Sequence, residues 1–156
     1  MVAHRKQDGF TLIEMVIVVA IIALLAAMII GGAAAIDNQG KQRAVENLFG
    51  QIEAALDAYY EFTDGFPLSP DATPPQRCER LYSDLSKVVS AREVLGQING
   101  SLIADRYTDA VPVGPEIYDP WGTVLDYQYT AGMQYPRLIS AGPDKMFGTS
   151  DDIRNK

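Results

Sequence analysis

An α+β fold, one long N-terminal helix carrying a small head of short helices and a small antiparallel sheet, follows from three features of the sequence. No charged residue occurs from Met15 to Ile36, and no proline occurs between Phe10 and Phe62. Turn residues and prolines then interrupt the chain from Thr63 to Pro75. Past Asp119 the apolar residues stop recurring at helical spacing and begin to alternate, which is the mark of strands rather than helices.

The uncharged run is the first element. About 22 residues at a rise of ~1.5 Å give roughly 33 Å, enough to cross a hydrocarbon core of about 30 Å. Arg5 and Lys6 precede the run, and the positive-inside bias then keeps the leader in the cytoplasm and sends the C-terminal part across. A secretory signal peptide is the alternative, with the same basic start and with Ala33-Ala34-Ala35 as its small-residue cleavage site. Glu14 stands at the head of the run. An acid in lipid is costly without a partner, and the helix dipole offers only about 0.3 to 1 kcal/mol to a carboxylate in the first turn. A second partner is required unless the side chain snorkels to the interface.

Beyond the run, Val45, Leu48, Ile52, Ala55, Leu56, Tyr59 and Phe62 mark one apolar face, with Lys41, Arg43, Glu46, Glu53, Asp57 and Glu61 opposite. One helix over 10–62, of roughly 80 Å, accounts for both halves. Gly31-Gly32 is its weakest point, since each glycine costs about 1 kcal/mol relative to alanine. Local melting and close helix packing both explain the pair.

Thr63-Asp64-Gly65-Phe66-Pro67 ends this helix, and 67–75 reads as a proline-rich loop. Thr73 caps a second helix with Pro74 at its first position, striped by Cys78, Leu81, Leu85, Val88 and Val89. Ser90 to Glu93 reads as the capping box of a third helix that runs through Ile98 and closes at Asn99-Gly100. Asp119-Pro120-Trp121-Gly122 is a turn. Leu125, Tyr127 and Tyr129 then alternate with Asp126 and Gln128 as a strand, and Arg137 to Ala141 returns beside it. A hairpin alone is marginal, so packing on the long helix and one more short strand near Tyr118 are expected.

The segment from Ser140 to Ile153 carries Asp144, Asp151 and Asp152 among glycines. Calcium takes six to eight oxygens from carboxylates and carbonyls on a bent loop, and this composition can supply them. The spacing is not that of an EF-hand, and on residues alone a solvated acidic loop is favoured slightly over a metal site.

Gly9-Phe10-Thr11-Leu12-Ile13-Glu14 followed by an unbroken apolar helix resembles the prepilin signal of type IV pilins and type II secretion pseudopilins. The resemblance implies cleavage by a prepilin peptidase between Gly9 and Phe10 and methylation of the new amine on Phe10. It implies for Glu14 an assembly role, with the Phe10 amine of a neighbouring subunit as its partner. Asp-Pro-Trp-Gly, the Tyr-x-Tyr strand and the acidic segment together are similar to the C-terminal region of major pseudopilins, whose loop binds Ca2+. Asp144, Asp151 and Asp152 are then the implied carboxylate ligands, helped by backbone carbonyls and by Ser140 or Ser150. Lys145 departs from the usual glycine after the first aspartate, and 67–117 departs from the usual middle segment. The likeness covers residues 1–67 and 118–153.

The domains so implied are a cleaved leader 1–9, a transmembrane and filament-core helix 10–36, a periplasmic pilin-like head 37–153 and a tail 154–156. Removing the leader takes the 13 basic and 20 acidic side chains to 11 and 19, a sum of −8. No basic footprint for nucleic acid remains. The only histidine, His4, leaves with the leader, which removes histidine-based catalysis and the commoner zinc sites. Cys78, the only cysteine, excludes an internal disulfide and reads as a small buried hydrophobe. The function implied is non-enzymatic: the major pseudopilin of a type II secretion system, polymerising with its own copies into a periplasmic pseudopilus that drives protein export. Its further partners would be minor pseudopilins and an inner-membrane assembly platform powered by a cytoplasmic ATPase. A type IV pilin of a surface pilus is the alternative within the superfamily. A membrane-tethered solute- or metal-binding domain, or a Mg2+ enzyme, is the alternative outside it.

Overall fold

The computed structural model describes residues 11–70, 73–107 and 114–155, the side chains of 28–35 excepted. Its contacts divide the chain into two compact units, Met1–Asn38 and Gln39–Lys156. Helix α1 runs Leu12–Thr63. Among the described residues no helix is long and apolar enough to cross a membrane. The span expected from Met15 to Ile36 passes through 28–35, whose side chains lie outside the described residues.

In the second unit the face of α1 is the expected one up to its last turn. Val45, Leu48, Ile52, Ala55 and Leu56 are buried, joined by Phe49, which the periodicity did not assign. Phe62 is 77% exposed and leaves the stripe, because the chain is already turning away. Asp64, at φ 56°, takes the left-handed position that ends the helix, one residue before Gly65.

Helix α2 covers Pro74–Lys87, with Thr73 at its N-cap. The Gln76 side chain accepts the Thr73 N–H at 3.2 Å, half of a capping box that the sequence reading did not include. Cys78, Leu81, Leu85 and Val88 are buried, whereas Val89 is exposed. Helix α3 covers only Val89–Leu95. Ser90 therefore lies inside it rather than capping it, and its hydroxyl donates to the Ala58 carbonyl of α1. Asn99 caps a different element: its side chain accepts the Ser101 N–H at 3.0 Å and starts a 3-10 turn over Gly100–Leu102.

Five short strands complete the head. Strand β1, Ile103–Ala104, pairs antiparallel with β2, Glu116–Ile117. A second sheet has the order β3, β4, β5, all antiparallel, from Asp126–Gln128, Arg137–Ser140 and Ile153–Arg154. The expected hairpin is present, and its extra strand near Tyr118 is β2, linked onward by a Tyr118–Val124 bridge. Strands β1 and β5 were not anticipated. Arg154, expected in the tail, belongs to the sheet and pairs with Ile139, and the side chain of Asn155, just beyond it, donates to Glu53 of α1 at 3.0 Å.

Asp126 alternates with the apolar residues of β3 yet does not face water. It is buried, and the Arg77 guanidinium of α2 meets it at 2.7 Å, so both faces of the strand are covered. Glu116, wholly buried, accepts N–H groups from Arg106 and Tyr107 and the Tyr118 hydroxyl. Cys78 is buried as expected. Its sulfur accepts the Ile117 N–H at 3.2 Å, and burial pushes the thiol pKa up to about 12, which leaves it unreactive. Both sheets share one core with α1 and α2, in which Leu138, wholly buried, sits opposite Tyr127. Leu138→Ala should cost about 2 to 5 kcal/mol in chemical denaturation; a loss well below that range would mean the β3–β4 hairpin contributes little to the core.

Candidate functional site

Two places carry the residues singled out by the sequence, one in each unit. In the first, Gly9 and Phe10 lie outside the described residues. Glu14 is in the first turn of α1, and its carboxylate is bound locally. Glu14 Oε2 accepts the Thr11 N–H and the Thr11 hydroxyl, each at 2.8 Å, while Thr11 Oγ1 accepts the Glu14 N–H at 3.3 Å. This is a reciprocal capping box, legible as Thr-x-x-Glu ahead of an apolar run; the sequence reading passed over it. It supplies part of the partner that Glu14 requires. The side chains around and after Glu14 are apolar on every side and exposed, among them Leu12, Ile13, Val16, Val19, Ile22 and Leu24. A helix apolar all round has no wet face.

The second place is the loop 141–152 between β4 and β5, closed at its base by the Ser140–Ile153 pair. Gly142, Lys145 and Gly148 all have positive φ, at 67°, 62° and 89°. The loop is tight at its neck. A Cβ on Gly142 would stand 2.4 Å from the Asp151 carbonyl oxygen, so only glycine fits both the space and the dihedral. Lys145 stands in a conformation that glycine adopts without strain.

The carboxylates of the loop bind its own backbone. Asp151 accepts the Asp144 N–H at 3.1 Å and the Thr149 hydroxyl in a short bond. Asp144 accepts the Met146 N–H at 2.8 Å. Asp152 Oδ2 accepts the Gly148 N–H at 2.9 Å and meets the Arg154 guanidinium at 3.1 Å. Asp152 Oδ1 is buried with no hydrogen-bond partner. A buried carboxylate oxygen left unsatisfied is costly, and a hard cation is one partner that could fill it. The donor set, all oxygen and net acidic, fits calcium better than a transition metal. Among the described residues, however, no three His, Cys, Asp or Glu side chains are already gathered as a metal cluster.

The two serines fall differently. Ser150 is exposed on the loop. Ser140 is wholly buried: its hydroxyl donates to Asp119 Oδ2 at 2.6 Å, and its oxygen accepts the Gly142 N–H at 3.3 Å. Asp119 and Thr149 are the residues that sequence reasoning missed here. Asp-Pro-Trp-Gly signalled a turn but not that its aspartate reaches a second segment.

The Thr149 hydroxyl first, and then the Asp144 N–H, hold the Asp151 carboxyl below the usual carboxylate range. The stability so contributed is present above the ordinary aspartate pKa and is lost as pH falls through the lowered value. Thr149→Val should therefore raise the Asp151 pKa in a carboxyl-carbon NMR titration, and an unchanged value would deny the hydroxyl its role.

Residues 4–30 match the prokaryotic N-terminal methylation motif. The chain is 31% identical to type II secretion system core protein G of Escherichia coli strain K12, over 98% of this chain and 93% of that protein. It is equally 31% identical to core protein G of Pseudomonas aeruginosa, over 96% and 92%. With the same protein of Pectobacterium carotovorum it shares 29% over 96% and 85%. A crystal structure of the major pseudopilin from the type 2 secretion system of enterohaemorrhagic E. coli aligns at a TM-score of 0.43 and 18% identity, covering 78% of this chain and 87% of that one. These relatives are secretion proteins, and the surface-pilus alternative finds no support among them. Matched along nearly its whole length, this chain belongs to the family of type II secretion system core protein G.

Proposed function

We propose that the chain is a non-catalytic structural subunit, anchored in the inner membrane by its apolar helix with the head in the periplasm, that polymerises into a pseudopilus driving protein export. The observation that carries this reading is the apolar surface of α1 from Leu12 to Leu25, exposed all round and interrupted by one carboxylate. Such a surface requires lipid before assembly and the helices of other copies after it. Cleavage by a prepilin peptidase after Gly9 frees the Phe10 amine, which is then methylated. Glu14, shaped by Thr11, meets that amine on a neighbouring copy, and the pair fixes the register between subunits. The assembly platform and minor pseudopilins act on the same helix.

In this reading the C-terminal loop binds calcium through Asp144, Asp151 and Asp152, with backbone carbonyls and solvent completing the shell. Asp152 Oδ1 and the oxygen-only donor set support it. Bound there, the ion neutralises part of the acidic loop and holds its turns together.

In cells, Glu14→Ala should leave a subunit whose intact mass begins at Phe10 with an added methyl, while filaments and export of the secreted protein are lost. Normal filaments would end the register role, and a chain beginning after Ala35 would end the prepilin assignment. Millimolar calcium should raise the melting temperature of the processed chain in detergent relative to chelator, by about 2.7 kcal/mol of stabilisation at 100 times Kd. Asp144→Ala should remove the shift; a wild type that does not respond would leave the loop simply solvated.

A further inference from the structure

The Asp-Pro-Trp-Gly turn and the C-terminal loop meet at one buried carboxylate. Asp119 is 1% exposed. Its Oδ1 accepts the Trp121 and Thr123 N–H groups at 3.0 and 2.8 Å, which closes the turn. Its Oδ2 takes the Ser140 hydroxyl at 2.6 Å. Because the Ser140 proton is thus committed, the Ser140 oxygen is left to accept the Gly142 N–H at 3.3 Å. Gly142 is the residue whose backbone lies hard against the Asp151 carbonyl, and Asp151 in turn accepts the Asp144 N–H. A chain of contacts therefore runs from the turn to the loop's neck and on to its acidic side chains.

We propose that Asp119 and Ser140 form a positioning pair that sets the entry of the C-terminal loop, and that Ser140 serves the loop in this way rather than as a cation ligand. The inference rests on the calcium reading for its consequence in binding, but its structural half stands without calcium. The carboxylate is specifically required. Asparagine also closes Asx turns, but with its oxygen on the two turn amides it would present N–H donors to Ser140. The Ser140 hydroxyl would then lose the acceptor that fixes its proton and so orients its oxygen towards Gly142. Groups that orient ligands without touching the metal commonly cost about 10- to 100-fold in affinity when removed.

The test uses the processed full chain in detergent micelles, with amide hydrogen exchange in chelator and a calcium titration. Ser140→Ala leaves the acceptors of the turn in place. It should speed exchange at Gly142, Asp144 and Gly148 while Trp121 and Thr123 stay protected, and it should weaken calcium binding about 10- to 100-fold. Asp119→Asn should free the same loop amides; if that variant does not fold, Ser140→Ala decides alone. Weakened binding with unchanged loop exchange would make Ser140 a direct ligand and overturn the proposal, as would loop amides protected as in the wild type. Should the wild type itself ignore calcium, the calcium reading fails and the exchange pattern still decides the positioning role.

Discussion

The apolar face of α1 between Val45 and Leu56 is the surface on which the rest of the head closes. The strands are too short to specify their own place, with two to four residues each, and sheets so small are not stable without something to cover. Val45, Ile52, Ala55 and Leu56 are wholly buried, as the continuous stripe of a helix packed by several partners must be. From α2 come Leu81 and Leu85, and from the second sheet Tyr127 and Leu138, into the same core. Helix α1 is thus apolar and exposed all round from Leu12 to Leu25, and apolar on one buried face from Val45 to Leu56.

Polar burial then supplies what a greasy core cannot, which is register. Glu116, Asp119 and Asp126 are each at most 4% exposed. Each gathers donors from segments distant in sequence: a loop before β2 for Glu116, strand β4 for Asp119, helix α2 for Asp126. Ionised carboxylates are costly to bury unless their oxygens are filled, so a shifted pairing would strand a charge. Short irregular elements can in this way hold one arrangement.

Periodicity and turn chemistry disclosed the long helix, the second helix and the β3–β4 hairpin, because each has a pattern several residues long. The two-residue strands β1 and β5 carry no period to detect, and Ile153-Arg154 stayed hidden behind the acidic loop. The alternation of Leu125, Tyr127 and Tyr129 reports only one face of β3, and that Arg77 covers Asp126 on the other is a tertiary fact. At the sites, the motif of Gly9 to Glu14 was plain as a string, yet the Thr11 box within it was overlooked. Asp144, Asp151 and Asp152 were visible as a composition. Asp119 was invisible as a partner of that loop, since nothing local to 119 says that Ser140 will arrive beside it.

Asn155 and Glu53 bond across a separation of 102 positions, and this contact has a temporal meaning. Loop closure over such a distance is entropically late. The face of α1 is synthesised well before the β4–β5 hairpin that shields it, so in the interval the nascent head exposes its most adhesive surface. If copies join through the first half of the helix as proposed, they must for that time be kept from joining through the second. Retention of single chains before assembly would be as much a safeguard for folding as a store for the filament.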